Sequence, residues 1–508
     1  MATLRMPAIE QLPTGIPGFE NISHGGLPRG RTTLLAGTAG SGKTICAAQF
    51  LAEGIRRFDE TGIFVTFEER AEDLRTNLAT FGWPITEWED AGRWIFIDAS
   101  PLPEDEVLHA GSYDLGGLLS RVEHAVRRSG ASRVALDSLA GVFSQFKDQA
   151  IVRRELQRVA AVLRGLDVTA VLTAERTHDY GPIGRFGVEE FISDNVIVLR
   201  NALEDERRRR TIEILKFRGA SHERGEYPFT IIDGEAMVVF GLSGIELKQR
   251  SSDIRITSGN DALDEMCGGG FFRDSVILVS GATGTGKTLT VTQFLAGGAA
   301  RGERCLLLAF EESREQLFRN ASGWGVDFER LEADGALRVV CEYPETSGLE
   351  DRLFRIRREV EAFKPNRLAV DSLSALERAG GQRGFREFVI GLTSFIKHQE
   401  IGGMFTSTTP TLFGGQSITE ARISTLTDSI ILLRYVETYG EMRRGLAVLK
   451  MRGSMHDKDI REFAIDGRGM HIGLPFRNVT GILAGHPTYA GPGEIDRLVG
   501  LFPDDAEG

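Results

Sequence analysis

Two phosphate-loop signatures, one in each half of the chain, constrain this sequence more than any other feature. Gly37, Thr38, Ala39, Gly40, Ser41, Gly42, Lys43 and Thr44 fit G-x-x-x-x-G-K-[ST], and so do Gly281, Ala282, Thr283, Gly284, Thr285, Gly286, Lys287 and Thr288. In such a loop the glycines let backbone N–H groups turn inward around a phosphate. The lysine reaches the terminal phosphates, and the threonine hydroxyl takes a Mg2+ position. Each loop follows a short apolar strand pattern, over 32–36 and 276–280, and opens a helical pattern. The expected fold is therefore α/β, with two tandem P-loop NTPase domains built on mainly parallel central sheets.

The halves share more than the loops. The acidic doublets Glu68-Glu69 and Glu311-Glu312 recur in the same order, as do the apolar segments ending in Asp137-Ser138 and Asp371-Ser372. The pairs Lys216/Arg218 and Lys450/Arg452 recur as well. A nearly constant spacing between partners across these landmarks marks a duplicated domain. We place the first domain at 1–247 and the second at 248–484, with a linker in the polar stretch 241–254 and a mobile tail rich in Gly, Pro and acids at 485–508. Segments 63–67 and 305–310 are short and apolar throughout, as in a parallel sheet buried on both faces. Helical spacing runs over 151–166 and 385–399. Ligands of such a sheet sit at its carboxyl edge.

At 508 residues the chain can bury a core in each of two or more domains. Its net charge of −12 argues against a non-specific nucleic-acid binder. Cys46, Cys267, Cys305 and Cys341 are scattered, with no Cys-x-x-Cys pair, and read as buried reduced thiols. No run of about 18 apolar residues suggests a membrane span, and the N-terminus lacks a signal-peptide core. A cytoplasmic protein is expected.

Asp137 and Asp371 end apolar strands, where a carboxylate organises Mg2+ through water; the plainer role is to cap the next helix. The residue after each is Ser, so a base must come from elsewhere. Glu68-Glu69 and Glu311-Glu312 are expected to end the strand beside the phosphate loop. Adjacent carboxylates repel, which raises one pKa, and one of them can take a proton from an attacking oxygen; otherwise they form a solvated turn. Lys216 and Arg218, like Lys450 and Arg452, alternate along a late strand and share a face. Such a pair suits the charge on a transferring phosphoryl group and often comes from a neighbouring subunit. The alternative is a solvated strand edge. The run 205–210 reads as a solvated hairpin tip.

Together these features resemble the KaiC family of circadian-clock ATPases and autokinases, within the RecA-like superfamily, from about residue 10 to about residue 484. The most specific stretch is 414–434, where Ser424 and Thr425 are similar to the family's adjacent phosphoacceptors. A plain turn or cap is the alternative for both. Aligning 428–434 on 194–200 puts Glu190 and Phe191 opposite them, so the first copy has no hydroxyl there. The resemblance implies a double-ring homohexamer with ATP and Mg2+ held between neighbours. Glu68 would activate water in the first ring, with Glu69 beside it. Glu311 would serve as base for a neighbour's acceptor hydroxyl, with Glu312 beside it, and would share the metal with Thr288 and Asp371; Thr44 and Asp137 would hold the metal of the first site. Lys216, Arg218 and His222, and Lys450 and Arg452, would reach the neighbour's nucleotide. Thr80, Trp324, Arg378 and Arg444 align with nucleotide-proximal positions, and Phe217, Asp233, Leu289 and Met451 complete the implied set. A KaiB-like partner would dock on the first domain, whereas 485–508 offers no firm match to the segment that receives a KaiA-like activator. Two other readings are a RecA- or RadA-like DNA-dependent motor and an ATP-assembled signalling scaffold. The charge, the missing four-cysteine module and the Ser-Thr segment weigh against the first. The intact lysines, threonines and acidic doublets weigh against the second.

Overall fold

Each phosphate loop follows a strand buried along its whole length, Thr32–Gly37 in one half and Val276–Gly281 in the other. The structure, a computed structural model, describes residues 9–100, 115–138, 149–183, 193–204, 207–240, 251–379, 381–409, 423–438, 440–477, 479–482 and 488–489. Glu190, Phe191, the linker over 241–250, the 414–422 part of the acceptor stretch and the 485–508 tail (488–489 excepted) lie outside the described residues. The chain divides into two compact units, Met1–Ile245 and Glu246–Gly508.

Each unit contains a nine-stranded sheet with the same strand order. In the first, the order is Trp94–Asp98, Gly62–Thr66, Arg133–Asp137, Thr169–Glu175, Thr32–Gly37, Asn195–Glu204, Arg207–Phe217, Glu226–Ile232 and Ala236–Val239. The first six strands are parallel and the last three extend the sheet antiparallel. The second repeats this from Leu337–Cys341 through Val276–Gly281 to Gly469–Pro475. This is the mainly parallel RecA-like α/β architecture expected.

One expectation needs correction. The acidic doublets do not follow the strand beside the phosphate loop, because Arg133–Asp137 and Thr169–Glu175 intervene between Gly62–Thr66 and Thr32–Gly37. The crossover connections place the later strands in the middle of the sheet, which chain order alone does not reveal.

Both sheet faces are dry. Phe64 packs with Phe50 and Trp94, whereas its neighbours Ile63 and Val65 pack with Leu156 and Leu163 on the other side. That period of two sends successive side chains to opposite faces. The helices Gln149–Gly165 and Gln382–His398 fall where the spacing predicted them.

A buried arginine locks the phosphate-loop helix to the sheet in each unit. Arg133, fully buried, donates to Glu60 Oε2 (2.5 Å) and to the carbonyls of Phe50 and Pro13 (both 2.8 Å). Arg367 repeats this with Glu303 (2.5 Å), Thr257 O (2.7 Å) and Phe294 O (2.8 Å). A Cβ on Gly54 would meet Arg133 Nε at 2.5 Å, so the helix must carry glycine where the guanidinium passes.

Candidate functional site

Close approach and backbone handedness dictate the loop glycines. A Cβ on Gly37 would sit 2.7 Å from Leu199 O, and one on Gly281 would sit 2.6 Å from Leu433 O. Gly42 and Gly286 cap the helices Lys43–Phe58 and Lys287–Ala299 in the left-handed region, at φ 89° and 109°, which side chains disfavour. The first helical turn then leaves N–H groups facing the loop, a ready anion cradle. Lys43 Nζ donates to the carbonyls of Gly37 (3.0 Å) and Thr38 (2.9 Å), and Lys287 Nζ to Ala282 O (3.0 Å). Burial holds both ammonium groups below their ordinary pKa, with Asp137 opposing the shift at Lys43 and Asp371 at Lys287. Each lysine is thus a desolvated cation resting on weak acceptors, suited to a stronger anion.

The strand-end aspartates face these loops. Asp371 accepts from Thr288 Oγ1 (2.7 Å) and from Thr406; Asp137 accepts from Thr44 and Thr173. Burial raises the pKa of both carboxyls above the aspartate norm. A buried carboxylate beside a threonine hydroxyl is an oxygen-only donor set, which fits a hard divalent cation. Glu69 and Glu312 are also raised, first by burial and then by Asp137 and Asp371 respectively. Asn77 lies 3.5 Å from Glu69 and Asn320 donates to Glu312 at 3.0 Å, each from the helix after the doublet.

The two copies diverge at the first carboxylate of the doublet. Ser138 Oγ donates to Glu68 Oε1 at 2.6 Å. The corresponding Ser372 Oγ is buried with no hydrogen-bond partner among the described residues, and Glu311 Oε1 accepts instead from Arg378 Nη2 at 2.6 Å. Glu68 is tied inward while Glu311 pairs with an exposed cation.

Other candidate residues split by location. Arg444 lies over the Tyr435 ring at 5.7 Å, and Tyr435 Oη is 3.4 Å from Thr283 O, so both stand beside the second loop. Trp324 ends the helix that carries Asn320 and packs on the core; Thr80 ends the helix that carries Asn77 and donates to Asn77 O. Asp233 is exposed in the turn between Glu226–Ile232 and Ala236–Val239, whose Ile231 lies against Gly42. Phe217, Leu289 and Met451 put their side chains into the core. His222 stacks edge-on to Phe217 at 5.8 Å, and burial lowers its pKa.

Lys216, Arg218, Lys450 and Arg452 stand apart from the loop of their own unit. Lys216 pairs with Val196, which is level with Leu34; Lys450 pairs with Ile430, which is level with Leu278. They sit toward the amino edge of the parallel sheet, opposite the phosphate loop. Lys216 Nζ donates to Ser193 O at 2.7 Å. Lys450 Nζ donates to the carbonyls of Ser424 and Thr427, both at 2.7 Å, and Arg452 Nη2 to Thr425 O at 2.9 Å.

The arginine run stands at the end of a hairpin, as its composition suggested, and its described part begins the return strand. Arg207–Phe217 is a strand paired with Asn195–Glu204, and Arg210 Nε approaches Gly40 O at 3.5 Å. Its position opposite Arg444 in the repeat was the available signal. Asp179, also unforeseen, accepts from Thr38 Oγ1 at 2.8 Å and from the Asn201 N–H at 2.9 Å. Cys46, Cys267 and Cys305 are buried free thiols, pushed up to about 12 by burial.

Two phosphate loops, each with a strand-end aspartate and an acidic doublet on a RecA-like sheet, define a tandem P-loop ATPase. The family profile described as "ATPase: KaiC" matches residues 12–243 and again 256–475. The chain belongs to the KaiC family. It is 66% identical to circadian clock protein KaiC3 of Synechocystis sp. over 98% of each chain. It is 54% identical to circadian clock oscillator protein KaiC 1 of the same organism, over 94% of this chain and 92% of the relative. Against the KaiC of Thermosynechococcus vestitus it is 55% identical over the same shares.

Proposed function

We propose that the N-terminal domain hydrolyses ATP with water as acceptor, while the C-terminal domain also transfers the γ-phosphoryl group to Ser424 and Thr425 of a neighbouring copy. One observation carries this reading. The acceptor turn precedes the strand Ser429–Thr438, whose first residue is level with Ile277, four residues short of Gly281. At roughly 3.3 Å per residue that leaves more than about 13 Å between the acceptors and the phosphate loop of their own domain. Each chain therefore presents donor machinery at one sheet edge and acceptor machinery at the other, which suits a ring. A homohexamer with ATP between neighbours satisfies both edges.

In this reading the loop N–H groups, Lys43 and Lys287 hold the phosphates. Thr44 with Asp137, and Thr288 with Asp371, would hold Mg2+, which neutralises phosphate charge when bound. Glu68, oriented by Ser138, takes the proton of water; Glu311, once parted from Arg378, takes that of the acceptor hydroxyl. A phosphate on Ser424 or Thr425 adds about −1.5 to −2 charges beside Lys450 and Arg452, enough to alter how neighbours meet. The names of the relatives support a role in circadian or related timing; a cytoplasmic location and a KaiB-like partner on the N-terminal domain are part of the same proposal. Incubation with Mg-ATP followed by phosphosite mapping tests the reading. Label on Ser424 or Thr425 that disappears in Glu311→Gln is expected; DNA-stimulated ATPase activity with neither residue labelled would overturn it.

A further inference from the structure

The cations Lys450 and Arg452 have work to do within their own chain. The acceptor turn folds through Leu426 N–H to Ile423 O (2.9 Å), and Thr427 Oγ1 reaches the Ser424 carbonyl at 3.4 Å. Ser424 is half-buried and Thr425 is exposed. Lys450 bridges Ser424 O and Thr427 O, and Arg452 holds Thr425 O. The base of the turn is held at Asp428, which accepts from Lys397 Nζ (2.7 Å) and from Val276 N–H (2.9 Å) and lies 3.6 Å from Arg452 Nη1, while Arg452 N–H donates to Asp428 O (2.9 Å).

We propose that Lys450 and Arg452 are positioning residues that set which acceptor hydroxyl meets the incoming phosphoryl group, Lys450 governing Ser424 and Arg452 governing Thr425. The proposal rests on the autokinase reading above. An ammonium has three donors, and two lie on the carbonyls of the turn. The third can take a phosphate oxygen of the neighbour's nucleotide, so one cation ties acceptor and donor together. Arg452 has five donors and can do the same beside Thr425. In the step itself the γ-phosphorus leaves the β–γ bridging oxygen, whose electron pair departs with ADP. The phosphorus bonds the Ser424 or Thr425 oxygen, and the hydroxyl proton passes to the neighbour's Glu311-type carboxylate. Each cation fixes the carbonyl next to one hydroxyl, so losing it loosens that hydroxyl first.

The test is the Ser424 to Thr425 labelling ratio at saturating Mg-ATP in full-length Lys450→Met, Lys450→Arg and Arg452→Met, read by mass spectrometry at early times. Lys450→Met should lower the ratio about fivefold or more, Arg452→Met should raise it by a similar factor, and Lys450→Arg should return it toward the native value. Affinity for a fluorescent ATP analogue, measured in parallel, reports the separate loss of nucleotide contact. If both variants label the two residues in the native proportion, however weakly, the cations only bind nucleotide and the proposal is wrong. If a variant labels neither residue, amide hydrogen exchange at Leu426 and Thr427 decides: unchanged protection overturns the proposal and lost protection supports it. Absence of label in the native protein would instead sink the kinase reading itself.

Discussion

Removing one hydroxyl should affect the two domains very differently. Ser138 donates to Glu68 at 2.6 Å, whereas the matching Ser372 hydroxyl is buried with no partner among the described residues. A hydrogen bond to a charged group contributes about 1.5–3 kcal/mol. If that energy orients Glu68 toward water, Ser138→Ala should lower kcat of the N-terminal site by roughly 10- to 150-fold, at about 1.36 kcal/mol per decade. Ser372→Ala removes an unsatisfied hydroxyl, so turnover at the C-terminal site should stay within about twofold and the fold should be no less stable. Steady-state ATPase assays can isolate each site: Ser138→Ala in a Lys287→Ala background, and Ser372→Ala in a Lys43→Ala background. Nucleotide affinity should not change in either. Equal losses at the two sites, or a Ser138→Ala enzyme within twofold of its parent, would refute the idea that the serine sets the carboxylate.

Three further outcomes follow from the same contacts. Arg367→Met should destabilise the C-terminal domain by about 1.5–3 kcal/mol in chemical denaturation, because it removes a buried charged donor from Glu303, which keeps Arg273, and from the carbonyls of Thr257 and Phe294; a loss under about 0.5 kcal/mol would contradict the lock. Burial raises the carboxyl pKa of Asp371, so the folded state binds a proton more tightly than the unfolded chain. Nucleotide-free stability should therefore fall as pH climbs from the ordinary aspartate value to the raised one, and Asp371→Asn should melt higher than the native protein at neutral pH; a lower melting point would oppose this. Arg378→Gln should free Glu311 from its ion pair and speed basal turnover in the C-terminal domain, modestly, since exposed pairs contribute only about 0–1 kcal/mol; slower turnover with unchanged nucleotide affinity would argue against a restraining contact.

Much of this was legible in sequence for a physical reason. A phosphate loop is a local device: glycines, lysine and threonine act within eight consecutive positions, so Lys43 and Lys287 fall where the motif put them. The duplication exposed the strand-end aspartates, and alternation placed Lys450 and Arg452 on one face. What stayed hidden depends on three-dimensional order. The neighbours of a strand follow from crossovers, so the acidic doublets were set two places too near the loop. Ser138 and Ser372 are the same residue in the same motif, and only packing separates their partners. Arg133 and Arg367 drew no reading in sequence, and each is buried where Gly54 or Gly298 makes way for it. Arg210 lies near a hairpin tip as expected, but only strand pairing shows that it reaches Gly40.

The central claim is that acceptor and donor belong to different chains. Mixing Lys287→Ala, expected to lose nucleotide from its C-terminal domain, with a Ser424→Ala/Thr425→Ala protein tests it directly by phosphopeptide analysis. Neither protein alone should be labelled at these positions. After subunit exchange with Mg-ATP, label should appear on Ser424 and Thr425 of the Lys287→Ala chains. If those chains stay unlabelled in mixed assemblies while the native protein labels itself, transfer occurs within one chain and the account is contradicted.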